Sequence, residues 1–188
     1  DNILRVTAED RGKGLFKERQ EDGYDAIMTN EKDVVLVGFS ADCVLIYFYD
    51  KVKNAIAIAH SGWRGTVLGI GGKVVKRMKE EFGSNPEDIV CGIAPAIGVD
   101  HFQVDIPVVT AFRQAYDWAD KFIYPDENMA ERWFIDLHSI NEEILVNEGI
   151  KRENIENSRI CTQCDPDRFF SHRVMGAKRG TLAGFMSL

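Results

Sequence analysis

The first third of the chain consists of short apolar runs separated by polar breaks, a pattern typical of β-strands. Runs rich in β-branched and aromatic residues occupy positions 25–29, 34–39, 43–50 and 55–60. The run at 43–50 is almost continuously apolar, which predicts a strand covered on both faces. The polar residues between the last two runs favour a hairpin, so strand 55–60 is predicted to lie antiparallel beside strand 43–50.

Farther along the chain, apolar positions recur at helical spacing. From Thr66 to Phe82 they fall largely on one stripe, and Gly83 follows where a helix would end. Residues 106–116 and 136–149 predict two more amphipathic helices, the second of which ends at a glycine. These segments place at least three helices after the first group of strands.

The remaining segments complete the pattern of one fold class. Residues 85–95 predict a short turn that leads into a buried strand, and residues 169–188 predict a loop followed by a final strand. Strands followed by helices interleaved with strands indicate the α+β class, with mixed β-sheets flanked by helices. Because the 188 residues contain no repeat or linker, a single domain spanning 1–188 is predicted.

The amino-acid composition of the chain limits the classes of binding partner that we expect. Apolar residues make up 45% and charged residues 28% of the chain, as in soluble globular proteins. The net charge of −7 would repel polyphosphate, so we expect no nucleic acid and no anionic membrane as partner. The four cysteines do not suggest a secreted disulfide framework, and the sequence has no apolar run long enough to span a membrane. We therefore expect a cytoplasmic location.

Cys43 and His60 stand at the ends of the two strands of the predicted hairpin. Cys43 opens one strand and His60 closes the next, so both lie at the same edge of the sheet. Thiolate and imidazole are ligands that suit tetrahedral Zn²⁺, and a site with three protein ligands leaves one position for water or substrate. The alternative for Cys43 is a small buried hydrophobic residue at the start of a strand.

The residues next to this pair favour a binding site. Gly62 and Gly65 flank Trp63 and Arg64 just before a helix, and such a turn with an arginine suits a phosphate or carboxylate. The alternative is a helix-entry turn with a solvated arginine. Asp42 would either orient a ligand histidine or cap a turn.

A second polar segment, FFSHRVMGAKRG, lies near the end of the chain. Phe169 and Phe170 beside His172 and Arg173 have the composition of a pocket wall that stacks a flat base, although an exposed basic loop has the same composition.

Two other groups of metal-binding residue types carry no predicted function. Cys161 and Cys164 form a CxxC motif with neither a second CxxC nor a following helix, which argues against a zinc ribbon or a thioredoxin-type site. His101 and His138 lack ligand spacing and are predicted to be structural.

Five segments resemble, in order over essentially the whole chain, the YfiH-type laccase-domain family. They are SADC, AHSGWRG, GIAPAIG, DLxxxNxxxLxxxGI and CTxxxxxxFFSHR. The family is also called multicopper polyphenol oxidase, and its bacterial members purine nucleoside phosphorylase YfiH or peptidoglycan editing factor. The resemblance implies a YfiH-like fold for 1–188 and a zinc site of two histidines and one cysteine, with Cys43 and His60 as two ligands. The third ligand, a histidine, is expected about two residues upstream of Asp1, in an N-terminal segment that this chain lacks. Ser40 and the segment HFQVD depart from the family pattern.

The activity implied by the resemblance is zinc-dependent chemistry on purine nucleosides. The expected reactions are phosphorolysis of adenosine, inosine or methylthioadenosine and deamination of adenosine. Cys43, His60 and Arg64 would be the catalytic groups, while Arg64, Phe170 and Arg173 would bind phosphate and base. A copper cluster is not expected, since such clusters need many histidines and this chain has four, with no His-x-His pair.

Two other functions stay open from the sequence. In the first, Cys43 is a nucleophile and His60 its base, in a hydrolase that edits misincorporated residues of peptidoglycan precursors. In the second, the chain is a non-catalytic binding domain with a vestigial site.

Overall fold

A computed structural model describes residues 2–18 and 23–188 of the chain. The strands are β1 Asn2–Arg5, β2 Tyr24–Thr29, β3 Leu36–Ser40, β4 Val44–Asp50, β5 Ala55–Ser61, β6 Ile89–Ile93, β7 Gln103–Asp105, β8 Ile123–Pro125, β9 Arg132–Ile135, β10 Ile155–Asn157 and β11 Leu182–Met186. The α-helices are α1 Trp63–Val67, α2 Ile70–Phe82, α3 Ile106–Ala115, α4 Leu137–Asn147 and α5 His172–Met175. Short 3₁₀ turns connect several of them.

The main sheet is mixed, as predicted. Its strand order is β1-β2-β5-β4-β6-β10, with antiparallel pairing in the centre and a parallel pair at each edge. Two smaller antiparallel sheets, β11-β3 and β7-β9-β8, accompany it. The α+β class with mixed sheets and flanking helices is therefore confirmed. No helix in the described ranges is long and apolar enough to cross a membrane.

Strand β4 is covered on both faces, which explains its almost continuous apolar run. Val44, Ile46 and Phe48 belong to the core that also contains the buried faces of α2 and α4. Leu45 and Tyr47 point to the other face, into a smaller core shared with β3. Alternate residues of one strand thus enter two different cores, as the two-residue period of a strand requires.

The helix predicted from Thr66 onward is divided into two, which corrects that prediction. Helix α1 ends at Val67, and Gly69 has a left-handed φ of 69° before α2 begins at Ile70. The Thr66 carbonyl accepts the Gly69 N–H at 3.0 Å in this turn and the Tyr116 hydroxyl at 2.6 Å from another part of the chain. The predicted stops at Gly83 and Gly149 are confirmed by positive φ values of 67° and 94°.

The end of the chain also differs from its prediction. The segment 172–175, predicted as loop, forms the one-turn helix α5, because the Ser171 side chain accepts the Val174 N–H as an N-cap. The final strand is confirmed as β11, which pairs antiparallel with β3. β11 packs so closely on the main sheet that a Cβ at Gly184 would overlap the Tyr47 hydroxyl.

Candidate metal and substrate site

The β4–β5 hairpin brings Cys43 and His60 to one end of the main sheet. Val44 pairs with Ser61 and Leu45 with His60, so Cys43 lies opposite Gly62. A Cβ placed on Gly62 would lie 3.2 Å from Cys43 Sγ and 3.5 Å from His60 Cε1. The thiol and the imidazole therefore converge on one spot, and the absence of a side chain at Gly62 keeps that spot open.

Burial sets the protonation state of both side chains. It raises the pKa of the Cys43 thiol, an effect that the Asp42 carboxylate reinforces and the Arg179 guanidinium opposes. It lowers the pKa of His60, against the opposing effect of Asp25. When no metal ion is bound, the pair is thus a neutral thiol and a neutral imidazole at neutral pH. A neutral imidazole can coordinate a metal, and a bound dication would itself ionise the thiol.

A buried polar network fixes the turn that follows His60. The Ser61 hydroxyl donates to Asn141 Oδ1 at 2.8 Å, and Asn141 Nδ2 donates to Thr66 Oγ1 at 3.2 Å and to the Leu137 carbonyl at 2.8 Å. All three polar side chains are fully buried. This network ties the β5–α1 turn to helix α4, and it accounts for the asparagine in the DLxxxNxxxLxxxGI segment.

A cavity of about 240 Å³ opens beside Cys43. Trp63 and Phe102 supply aromatic walls, and Arg173 and Arg179 supply positive charge. The full lining is Ala41, Asp42, Cys43, Trp63, Ile97, Phe102, Leu137, His172, Arg173 and Arg179. Apolar walls with a few convergent polar groups are typical of small-molecule sites.

Asp42 connects the cavity to the last quarter of the chain. It is 8% exposed and has a positive φ of 76°. Its carboxylate accepts the Thr162 hydroxyl at 2.6 Å, the Ser171 hydroxyl at 3.1 Å and the Arg173 N–H at 2.7 Å. Of the two roles considered for Asp42, the contacts match capping: it caps the start of α5 from a distant part of the chain.

The other residues predicted for substrate binding lie in different places. Arg64 is exposed, and its guanidinium lies 4.2 Å from the centre of the Trp63 ring. Phe170 is 43% exposed, and its ring lies against Gly180, where an added Cβ would come within 2.7 Å of it. Arg173 lines the cavity and donates to the carbonyls of His101 and Gln103.

Sequence reasoning missed two aromatic walls and one cation of the cavity. Phe102 lies in the segment where the chain departs from the family pattern, and Trp63 was considered only as part of a turn. Arg179 lies within the segment FFSHRVMGAKRG, of which the sequence analysis singles out only His172 and Arg173 beside the two aromatic residues. Its guanidinium donates to His172 Nδ1 at 3.1 Å and to the Gly180 carbonyl at 3.3 Å.

The structure also joins three residues that were predicted to have no such role. The side-chain donor atoms of His101, Cys161 and Cys164 all lie within 4.8 Å of one another and could hold a metal ion. The fold therefore gives His101 and the CxxC the ligand spacing that is absent from the linear sequence, while the chain has no second CxxC, as the sequence shows. The missing ligand for the CxxC comes from a segment sixty residues earlier in the chain.

Comparison with known proteins identifies the family. The family model for multi-copper polyphenol oxidoreductase laccase matches residues 1–188. The chain belongs to this family. It is 38% identical over 189 residues to the purine nucleoside phosphorylase YlmD of Bacillus subtilis (strain 168), which covers 100% of this chain and 67% of that protein. The resemblance drawn from the five segments is thereby confirmed.

Two further relatives connect the family to a fold and a second activity. The crystal structure of YfiH from Bacillus licheniformis superimposes with a TM-score of 0.95 at 36% identity, over 100% of this chain and 70% of that one. The adenosine deaminase RL5 of an unknown prokaryotic organism is 33% identical over 175 residues, 92% of this chain and 66% of that protein. The chain thus has the YfiH-like fold and spans about two thirds of these relatives.

The copper in the family's description does not match the donors of this chain. A multicopper cluster needs many histidines, and the chain contains His60, His101, His138 and His172. His138 Nδ1 is 2.9 Å from the Asn157 side-chain oxygen, and His172 Nδ1 accepts from Arg179. His60 lies beside Cys43, and His101 lies beside Cys161 and Cys164, so each of these two histidines is grouped with cysteine, a donor set that suits zinc.

Proposed function

We propose that this chain carries most of a zinc-dependent site for purine nucleosides. The reactions are phosphorolysis of adenosine, inosine or methylthioadenosine and deamination of adenosine. The observation that carries the proposal is the convergence of Cys43 and His60 beside Gly62, next to a cavity with aromatic walls and two arginines. Relatives named purine nucleoside phosphorylase and adenosine deaminase support the substrate class.

Cys43 and His60 would hold the zinc, together with the histidine expected upstream of Asp1. The donor set fits, because both side chains face the open spot beside Gly62 and His60 is neutral. When bound, zinc supplies Lewis-acid chemistry that polarises an oxygen or activates water. The protein's contribution is to hold the thiolate and imidazole on the rigid β4–β5 hairpin.

The apolar walls of the cavity would bind the purine. Trp63 and Phe102 offer flat surfaces for a planar base, and Ile97 and Leu137 add to the apolar lining. Phe170, predicted to stack the base, has its ring on Gly180, so we assign the stacking to Trp63 and Phe102 instead.

Arg179 is the better placed of the candidate phosphate anchors. It is half-buried in the cavity wall and close enough to affect the pKa of Cys43, whereas Arg64 is exposed beside Trp63. In phosphorolysis, a phosphate oxygen attacks C1′ of the ribose, the bond to the base breaks, and the base leaves with a proton. A fixed guanidinium would orient the phosphate and stabilise its charge during the attack.

The hydrolase alternative has less support. A nucleophilic cysteine needs a lowered pKa, and burial raises the pKa of Cys43. The vestigial-domain alternative does not account for a cavity whose walls and cations surround Cys43. All four cysteines are unpaired, which supports the proposal of a reducing, cytoplasmic location.

The central test is the fate of adenosine in the full-length protein, with and without phosphate. We expect adenine and ribose 1-phosphate only when phosphate is present, and inosine in either case. Product separation by chromatography, alongside metal analysis of the same sample, measures both reactions. The proposal would be refuted if the zinc-loaded, folded protein catalysed neither phosphorolysis nor deamination of adenosine.

Replacing Arg179 separates the two reactions. Arg179→Gln is expected to raise the KM for phosphate by roughly 10- to 100-fold, the equivalent of one lost charge-assisted hydrogen bond, and to change the rate of inosine formation much less. Arg168→Gln is the matched control, because Arg168 is an exposed arginine of the same region and is ion-paired to Asp165. An Arg179 variant with an unchanged KM for phosphate, together with a raised KM in Arg64→Gln, would transfer the role to Arg64.

A further inference from the structure

The cluster of His101, Cys161 and Cys164 has the spacing of a metal site. His101 Nδ1 lies 3.5 Å from Cys161 Sγ and 3.6 Å from Cys164 Sγ. With Zn–S bonds of about 2.3 Å and Zn–N bonds of about 2.0–2.1 Å, tetrahedral angles separate a sulfur from a nitrogen ligand by about 3.5–3.6 Å. Both sulfurs therefore stand at the ligand–ligand distance from the same nitrogen.

The backbone around the cluster holds its ligands in place. Ala96 and Cys161 form a bridge in which the Ala96 N–H donates to the Ile160 carbonyl and the Thr162 N–H to the Ala96 carbonyl. The Gly98 N–H donates to Cys161 Sγ at 3.2 Å, a contact that stabilises a thiolate. A Cβ at Gly98 would come within 3.0 Å of Cys161 Cβ, so this close approach depends on glycine.

As metal ligands, the three donors of the cluster would match the charge of a divalent cation. Two thiolates and a neutral imidazole carry two negative charges, which one divalent ion would neutralise. Cys164 is exposed, so the fourth position of a tetrahedral ion would face solvent.

We propose that His101, Cys161 and Cys164 bind a second ion, Zn²⁺, separate from the site of Cys43 and His60. This ion would join the 98–103 turn to the 161–164 segment. Each segment supports the cavity: Phe102 forms one wall, and Thr162 donates to Asp42. The proposal rests on the cluster alone, and it holds whether or not the protein acts on nucleosides.

Metal content and thiol protection test the second site. In the full-length protein, prepared under reducing conditions and dialysed against Zn²⁺, we expect two equivalents of zinc per chain by mass spectrometry. The double variant Cys161→Ser/Cys164→Ser is expected to retain one equivalent of zinc, at the site of Cys43 and His60. Cys43→Ser is expected to retain the other equivalent, at the second site. Cys91→Ala, which removes a buried thiol of β6, should retain both. In the unmutated protein, zinc should protect Cys161 and Cys164 from alkylation, and a chelator should remove that protection.

Two results would overturn the proposal. One is an unchanged zinc content in the folded double variant. The other is equal alkylation of Cys161 and Cys164 with and without zinc, a measurement that needs no variant to fold. A disulfide between Cys161 and Cys164 in the zinc-dialysed protein, detected as a mass lower by two hydrogens, would count as the second result. The bonded sulfurs would then resist alkylation equally with and without zinc. Loss of zinc from Cys43→Ser alone tests the nucleoside site, so the two proposals can fail independently.

Discussion

Cys43→Ser and His60→Gln in the full-length protein are each expected to lower kcat/KM for adenosine by on the order of 10³-fold or more, the scale on which a member of a catalytic unit acts. A serine hydroxyl and a glutamine amide are poor substitutes for thiolate and imidazole as zinc ligands. Both positions are only partly buried, so the fold should survive. The measurements are steady-state kinetics, zinc content and circular dichroism on the same preparations.

The controls for this prediction use neighbouring residues. Cys91→Ala removes a cysteine from β6 without touching the cavity and should retain activity. Gly62→Ala should give an intermediate loss, because its methyl group would press on Cys43 Sγ at 3.2 Å and shift it. A folded, zinc-free Cys43 variant with undiminished turnover would contradict the zinc assignment.

The same variants separate zinc chemistry from a cysteine nucleophile. If zinc-free protein were active and alkylation of Cys43 abolished that activity, Cys43 would be the nucleophile of a hydrolase. Full activity that returns only when zinc is added back would exclude that role, since a metal-bound thiolate is a poor free nucleophile.

The sequence predicts the parts of the fold that depend on local patterns. The β4–β5 hairpin was predictable because the two runs are adjacent and joined by a short polar turn. The parallel pairing of β10 with β6 was not, because the two strands are more than sixty residues apart. The break at Gly69 was also not predictable, since the apolar stripe continues across it and one of the donors to the Thr66 carbonyl is the distant Tyr116 hydroxyl.

The residues of the candidate site also divide into those that a local sequence pattern places and those that only distant contacts place. Cys43 and His60 could be placed together because one hairpin carries both. His101 and the CxxC could not, because their contact depends on the Ala96–Cys161 bridge, a tertiary pairing with no local signal. Arg179 belongs to the predicted pocket-wall segment, but the sequence does not distinguish it from Arg173, and the packing around His172 brings it to the cavity.

Asp42 holds the wall of the cavity through three donors, two of which belong to fully buried side chains. Those side chains are Thr162 and Ser171, and the third donor is the N–H of Arg173. A buried donor that loses its acceptor costs about 1–3 kcal/mol. The Asp42 carboxylate is therefore the shared acceptor that joins the 161–164 segment, helix α5 and the loop before Cys43.

Asp42→Ala is expected to lower the free energy of unfolding by roughly 3 kcal/mol or more, because three donors lose their acceptor at once. The positive φ of 76° adds strain, which alanine tolerates less well than aspartate or asparagine. Asp42→Asn is the matched control: its amide oxygen can still accept from Ser171 and Arg173, and its NH₂ can donate to the Thr162 hydroxyl. It should therefore lose much less stability in urea unfolding. Equal losses in the two variants would show that the carboxylate's hydrogen bonds do not hold this wall together.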